Sequence, residues 1–262
     1  MPFLRAAGER IEYLQDGPRP SEAPTLVFLH EGLGSVTLWR DFPARLGAAT
    51  GCGIFVYSRA GYGASDSVAL PRPVSYMHDD AAKLGEVLRV AGIERHVLIG
   101  HSDGGSIALI QAGSTPSPGL LGVATLAAHV FCEDISVASI AAVGKTWETT
   151  DLRAKLARHH GTNVDCAFLG WNGAWLDPAF RRWNIEAYLP RIDVPVLAIQ
   201  GESDEYGTMA QVDAILAQAG GGAEALKLAN CGHAPQRDQP EATLKALAAF
   251  VGRVACMPTS FG

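Results

Sequence analysis

The sequence predicts an α/β protein built on a mostly parallel sheet. Short, almost unbroken apolar runs recur along the chain, and segments with helical periodicity lie between them. Strand, loop and helix repeated in this way make βαβ units, whose strands lie parallel.

The apolar runs are "TLVFLH" (25–30), "GIFVYS" (53–58), "HVLIGH" (96–101), "GVATLAA" (122–128) and "PVLAIQG" (195–201), each suited to a strand buried on both faces. The opening "FLRAAGERIEYLQD" alternates polar and apolar residues instead and reads as a pair of edge strands. "MHDDAAKLGEVLRVAG" sets Ala81, Leu84, Leu88 and Ala91 on one helical face. "PEATLKALAAFVGRV" does the same with Leu244, Leu247, Ala248 and Val251, and Pro240 suits its first turn. The rhythm breaks between about 130 and 190, where helical pieces carry Phe131, Trp147, Phe168, Trp171, Trp175, Phe180, Trp183 and Tyr188. There Asp177-Pro178 reads as a helix start, a cap followed by a first-turn proline. An insertion at the C-terminal end of a parallel sheet sits where a lid would lie. Most of these rings are expected to hold it onto the core and a minority to line a pocket. The expected division is a core of 1–130 and 188–262 with an inserted segment of 131–187.

Composition narrows the function classes. A chain of 262 residues, 48% hydrophobic and 18% charged, can bury a full core and has no disorder-type bias. A net charge of −6 without any Lys/Arg run argues against nucleic acid and against an anionic membrane surface. The five cysteines are an odd set without a CxxC pair, which suits reduced thiols in a cytoplasm rather than a disulfide framework or a structural zinc. Arg5, Glu9 and Arg10 interrupt any apolar leader core, and no apolar run approaches the ~20 residues of a membrane span. The expectation is a cytoplasmic protein, monomer or homodimer, with a small-molecule partner.

The chemistry centres on "LIGHSDGGSIA" (98–108). Gly100 and Gly104 flank Ser102 in a G-x-S-x-G element that follows a predicted strand and opens a predicted helix. The turn must be sharp to lift the hydroxyl clear, and side chains two positions away would collide, so glycine is needed at both. A serine is a poor nucleophile at neutral pH and needs a base that is itself oriented by an acid. "LANCGHAPQ" supplies His233 after a candidate strand, and "IQGESDEYG" supplies Asp204 just past a strong strand end, with Glu202 and Glu205 as neighbours. In "HEGLGSVTLWR" (30–40), glycines let backbone N–H groups approach a ligand. Gly32 N–H, with Asp103 N–H, is the candidate oxyanion donor. "HEGLG" is no zinc-binding H-E-x-x-H, because its fifth position is Gly34.

Taken together, "LVFLHEGLGS", "VYSRAGYGASD", "LIGHSDGGSIAL", "LAIQGESDE" and "NCGHAPQ" resemble, in order, the landmarks of the α/β-hydrolase superfamily over nearly the whole chain. Ser102, Asp204 and His233 also follow the order that fold requires. The resemblance implies a mainly parallel eight-stranded sheet with a helical cap after the sixth strand. It further implies ester-type hydrolysis without a cofactor or metal, with Ser102 as nucleophile, His233 as base and Asp204 as orienting acid. Two positions depart from the common pattern: Glu31, where many members have glycine, and Asp103, where many have an apolar residue or glutamine. The Ser-Asp-Gly-Gly form resembles locally the valacyclovirase-like amino-acid ester hydrolases.

A carboxylate about 5 Å from a developing oxyanion would raise the barrier by ~3 kcal/mol at an effective dielectric of 20. Either the Asp103 side chain is paired internally, with the helix dipole or Arg59, or it recognises a substrate amine. Glu31 invites the same two readings, with an ion pair to Arg59 favoured. Glu31, Phe131, Trp171 and Trp175 are the candidate substrate-binding side chains. The expected activity is hydrolysis of small to medium carboxylic esters through an acyl-enzyme. Cleavage of a β-diketone-type carbon–carbon bond on the same triad, or a non-catalytic small-molecule receptor, are the alternatives.

Overall fold

The computed structural model describes residues 1–255. It is an α/β-hydrolase fold with one eight-stranded sheet in the order β1-β2-β4-β3-β5-β6-β7-β8. The strands are β1 (Phe3–Ala6), β2 (Glu9–Asp16), β3 (Thr25–Leu29), β4 (Gly53–Tyr57), β5 (His96–His101), β6 (Leu120–Leu126), β7 (Val196–Gly201) and β8 (Ala223–Leu228). From β3 to β8 every pairing is parallel, while β1 with β2 and β2 with β4 are antiparallel. Only β1 is an edge at this end. The alternating β2 is internal, pairing with both neighbours, because a half-polar strand is tolerated where one face meets solvent.

The unbroken apolar runs split between two cores, as the pleat requires. Leu26, Phe28, Ile54, Val56, Val97 and Ile99 face α1 (Phe42–Thr50) and α9 (Pro240–Ala255), the latter following the single-turn α8 (Pro235–Asp238). Val27, Leu29, Phe55, Tyr57 and Leu98 face α2 (Tyr76–Val90), α3 (Asp103–Ser114) and α7 (Ala210–Gln218). Ala81, Leu84 and Leu88 of α2 are buried as predicted, with Ala91 partly so. In α9 the buried stripe is centred on Thr243, Leu247, Phe250, Val251 and Val254, and Leu244 and Ala248 lie at its margin. Phe250 draws the face round because its ring fills the space beside Gly122 on β6.

Between β6 and β7 the chain forms α4 (Asp134–Thr149), α5 (Leu152–His160) and α6 (Val164–Leu176). Asp177 caps a short 3-10 turn, Pro178–Arg182, rather than a longer helix, its Oδ1 accepting from Ala179 N–H at 2.7 Å. The rings of this segment pack on one another, with Trp147 stacked on Phe168 (centroids 3.9 Å apart) and Phe180 on Trp183 (5.3 Å). Cys52, Cys132, Cys166 and Cys231 are free thiols, and Cys256 lies outside the described residues. No helix among the described residues is long and apolar enough to cross a membrane.

The chain reverses its direction of progress across the sheet between β3 and β5, which are neighbours. The crevice beyond the C-terminal ends of those strands is where such a sheet binds ligands.

Candidate active site

Ser102 sits between β5 and α3 with φ 52° and ψ −119°, a left-handed-side conformation that costs a non-glycine residue about 1–3 kcal/mol. A Cβ on Gly100 would strike the backbone of Gly104, and one on Gly104 would strike the carbonyls of Leu29 and His30. Both glycines of the motif are therefore dictated by close backbone approach within the elbow and against β3.

The other elements meet the elbow at the same sheet edge. Asp204 follows β7, its side chain 1% exposed, and His233 follows β8. His233 Nδ1 stands 2.9 and 3.0 Å from the two carboxylate oxygens of Asp204. Tyr206 N–H also donates to Asp204 Oδ1 at 2.8 Å. Burial opposes ionisation of Asp204, but the hydrogen bond and charge of His233 outweigh it and hold the carboxyl below its usual value. Tyr206 lies over the His233 ring at 4.6 Å. His101, just before the serine, donates from Nε2 to the His233 carbonyl at 2.8 Å, tying the His233 loop to the elbow.

The loop after β3 is shaped by His30. Its Nδ1–H donates to the Glu31 carbonyl at 2.7 Å and its Nε2 accepts from Arg59 N–H at 3.0 Å. Burial, then Arg59, pushes its pKa down, so the ring is a neutral strut. Gly32 N–H and Asp103 N–H have no hydrogen-bond partner among the described residues. A Cβ on Gly32 would run into the Trp171 indole of α6, so this glycine admits the aromatic ring above it.

The Asp103 side chain is shut away from the crevice, with 0% exposure. Tyr76 OH donates to its Oδ2 at 2.5 Å, and Trp175 Nε1 donates to its Oδ1 at 3.2 Å and to Tyr76 OH at 2.9 Å. Arg59 Nη2 lies 3.9 Å from Oδ2, while Arg59 Nη1 binds Asp80 at 2.8 Å. Burial raises the Asp103 pKa, with Arg59 and the two donors pulling the other way. Of the two readings of this carboxylate, internal pairing fits this geometry: the group has its partners, and one of them, Trp175, fastens α6 to the core. The Glu31 carboxylate does not pair with Arg59, which reaches only its backbone carbonyl at 3.1 Å. It turns instead toward His101 Nδ1 at 3.4 Å and Arg237 at 3.9 Å, because Arg59 is already engaged by Asp80. Burial resists its charge, yet His101 and then Arg237 hold it well below the carboxylate range.

Ser102 and His233 share one cavity of about 260 Å³. Glu31, Trp171 and Trp175 line it, together with Leu33, His129, Ile140 and Tyr206. Phe131 is not among the lining residues; its backbone bridges to Asn184 and exchanges hydrogen bonds with the Gln211 side chain.

A family model described as the alpha/beta hydrolase family matches residues 26–246. The chain belongs to this family. Among solved structures it is similar to an alpha/beta hydrolase enzyme from a Medee basin deep-sea metagenome library, with TM-score 0.78, 18% identity, 98% of this chain and 100% of that one covered. It is also similar to the enol-lactonase from Burkholderia xenovorans (TM-score 0.73, 20% identity, 95% and 99% covered). The esterase from Exiguobacterium antarcticum matches likewise (TM-score 0.74, 18% identity, 95% and 98% covered). At such identities these likenesses concern the fold. No curated protein sequence matches the chain.

Three further residues, His101, His129 and Tyr76, stand at this hydrolase's candidate site. Of these, His129 has a positional signal in the sequence, since it directly follows the "GVATLAA" run, whose strand lies beside the one before Ser102. Tyr76 had none, as its partner is Asp103 from an element 27 residues away.

Proposed function

We propose that this hydrolase cleaves small to medium carboxylic esters through an acyl-enzyme on Ser102. The observation that carries the reading is the Asp204–His233 hydrogen bond beside a serine in a strained elbow, all facing one cavity. With its Nδ1–H held by Asp204, His233 presents Nε2 as the base. It takes the proton of Ser102 as Oγ attacks the ester carbonyl. The free N–H groups of Gly32 and Asp103 receive the oxyanion, preorganised by the His30 strut and by the N-terminus of α3. His233 then protonates the leaving alkoxide, and water hydrolyses the acyl-enzyme by the same route in reverse. The segment 131–187 acts as the cap of this site, supplying Trp171 and Trp175 as apolar walls. Its esterase and lactonase neighbours support open-chain or cyclic esters as the substrate class.

The test is steady-state hydrolysis of nitrophenyl esters of increasing acyl length by the wild type and Ser102→Ala. Saturable turnover that the variant loses supports the reading. Binding without turnover would point to a receptor, and turnover that survives the substitution would assign the chemistry elsewhere.

A further inference from the structure

Two further histidines line the cavity beside His233: His101, whose Nε2 is tied to the His233 carbonyl, and His129, which nothing in the triad uses. His129 is 2% exposed and its ring centroid lies 5.7 Å from that of His233, with Trp175 edge-on at 5.0 Å. Its backbone is fixed on both sides. Ser106 Oγ donates to the His129 carbonyl at 2.6 Å and lies 3.2 Å from its N–H, and Gln211 accepts from the next N–H, of Val130, at 2.7 Å. Two residues earlier Ala127 holds φ 51°, an uncommon conformation for a side-chain-bearing residue. The ring is thus placed, not left over.

The two imidazoles differ in what their Nδ1 atoms meet. That of His233 is held by Asp204, whereas that of His129 is fully buried without a partner. The Nδ1 edge lies against Gly207, where a Cβ would fall 3.3 Å from Cε1 and 3.5 Å from Nδ1. Nε2 has no partner among the described residues either, and the residue lines the cavity. A neutral imidazole carries one N–H. Placed on the buried Nδ1 it would have no acceptor at all, so the favoured tautomer carries it on Nε2, where only a ligand or water can accept it. Burial, then the neighbouring His233, lowers the His129 pKa to about 3, so the ring is neutral in the working range. A neutral donor without an orienting carboxylate is not a second base.

We propose that His129 is a substrate-contacting residue whose Nε2–H recognises a second acceptor oxygen close to the scissile ester. The substrate class is then oxygenated esters, carrying a keto, ether or similar acceptor on the acyl or the alcohol side, in preference to plain alkyl esters. This rests on the serine-hydrolase reading above and specifies its substrate.

The experiment compares two matched pairs, ethyl 3-oxobutanoate with ethyl butanoate and 2-methoxyethyl butanoate with butyl butanoate. The wild-type ratio of kcat/KM, oxygenated over plain, is measured against the same ratio in His129→Phe, which cancels intrinsic reactivity. The ratio is expected to fall about fivefold or more in the variant for one pair, as loss of one hydrogen bond implies, and to recover in part in His129→Gln. Ratios that agree within about twofold in wild type and variant for both pairs overturn the proposal. If His129→Phe does not fold, binding of the same esters to Ser102→Ala decides. An oxygenated ester bound about fivefold more tightly than its plain partner supports it, and a smaller preference in both pairs overturns it. Butyl butanoate hydrolysis by the wild type and its loss in Ser102→Ala test the parent reading separately, so the two failures are distinguishable.

Discussion

Replacing Asp103 by alanine separates the two readings of the residue that follows the serine. In the structure the carboxylate accepts from Tyr76 OH and Trp175 Nε1 and lies 3.9 Å from Arg59. Each hydrogen bond to a charged group is worth about 1.5–3 kcal/mol. Trp175 keeps Tyr76 OH as an acceptor and Arg59 keeps Asp80, so the loss falls mainly on Tyr76 and on the space left behind. The raised pKa of Asp103 means that its burial is itself unfavourable, and removing it returns part of that cost. A net loss of about 2–3 kcal/mol follows. For a chain of this size it lowers Tm by about 5–10 °C. Thermal unfolding measures this, and Trp175→Phe with the double variant isolates the coupling between α6 and the core. Activity on a neutral ester and on a matched ester bearing an ammonium group falls by the same factor. An unchanged Tm with a selective loss on the ammonium ester would overturn internal pairing and make the carboxylate an amine site.

Asp204→Asn removes the acceptor that orients His233 and lowers kcat by about 10³–10⁴, measured on a nitrophenyl ester; a loss below tenfold assigns the orienting role to another group. Gly104→Ala drives a methyl group into the carbonyls of Leu29 and His30 and destabilises by about 1–3 kcal/mol or more, read from the urea midpoint. Acid destabilises the fold from the histidine range downward. The folded pKa of His129 is about 3, below the unfolded value of ~6.5, so its contribution is fully present above ~6.5 and is lost as pH falls toward 3. Between pH 6.5 and 5 it alone removes about 2 kcal/mol, and His30, His96 and His160 shift the same way. Urea midpoints at pH 7 and 5 measure the slope, and His129→Phe flattens it; an identical slope in the variant shows the ring to be solvated.

The parallel sheet was legible because a strand buried on both faces has to be apolar throughout, as Val27 and Phe28 on opposite faces of β3 illustrate. The elbow was legible because close backbone approach admits only glycine at 100 and 104. Asp204 and His233 could be placed because each directly follows a strand that ends at the same sheet edge. Side-chain pairing between distant elements was not legible. Glu31 was expected to meet Arg59, but Arg59 is held by Asp80, whose place on α2 a periodicity argument cannot orient. Phe131 is expected in the pocket on aromaticity alone, and the cavity lining does not include it. The position of His129 after a strand run is readable in the sequence, but the unpartnered imidazole nitrogen that gives it significance is a property of the packing.

The proposed chemistry requires that Ser102 becomes acylated. Rapid quenching of the wild type with nitrophenyl butanoate, followed by mass spectrometry of its peptides, observes this directly. The expected result is a burst of nitrophenol matching the enzyme concentration, and a butyryl group on the peptide carrying Ser102 that Ser102→Ala does not form. Turnover without any acylated peptide, or with the butyryl group on another residue, would contradict it.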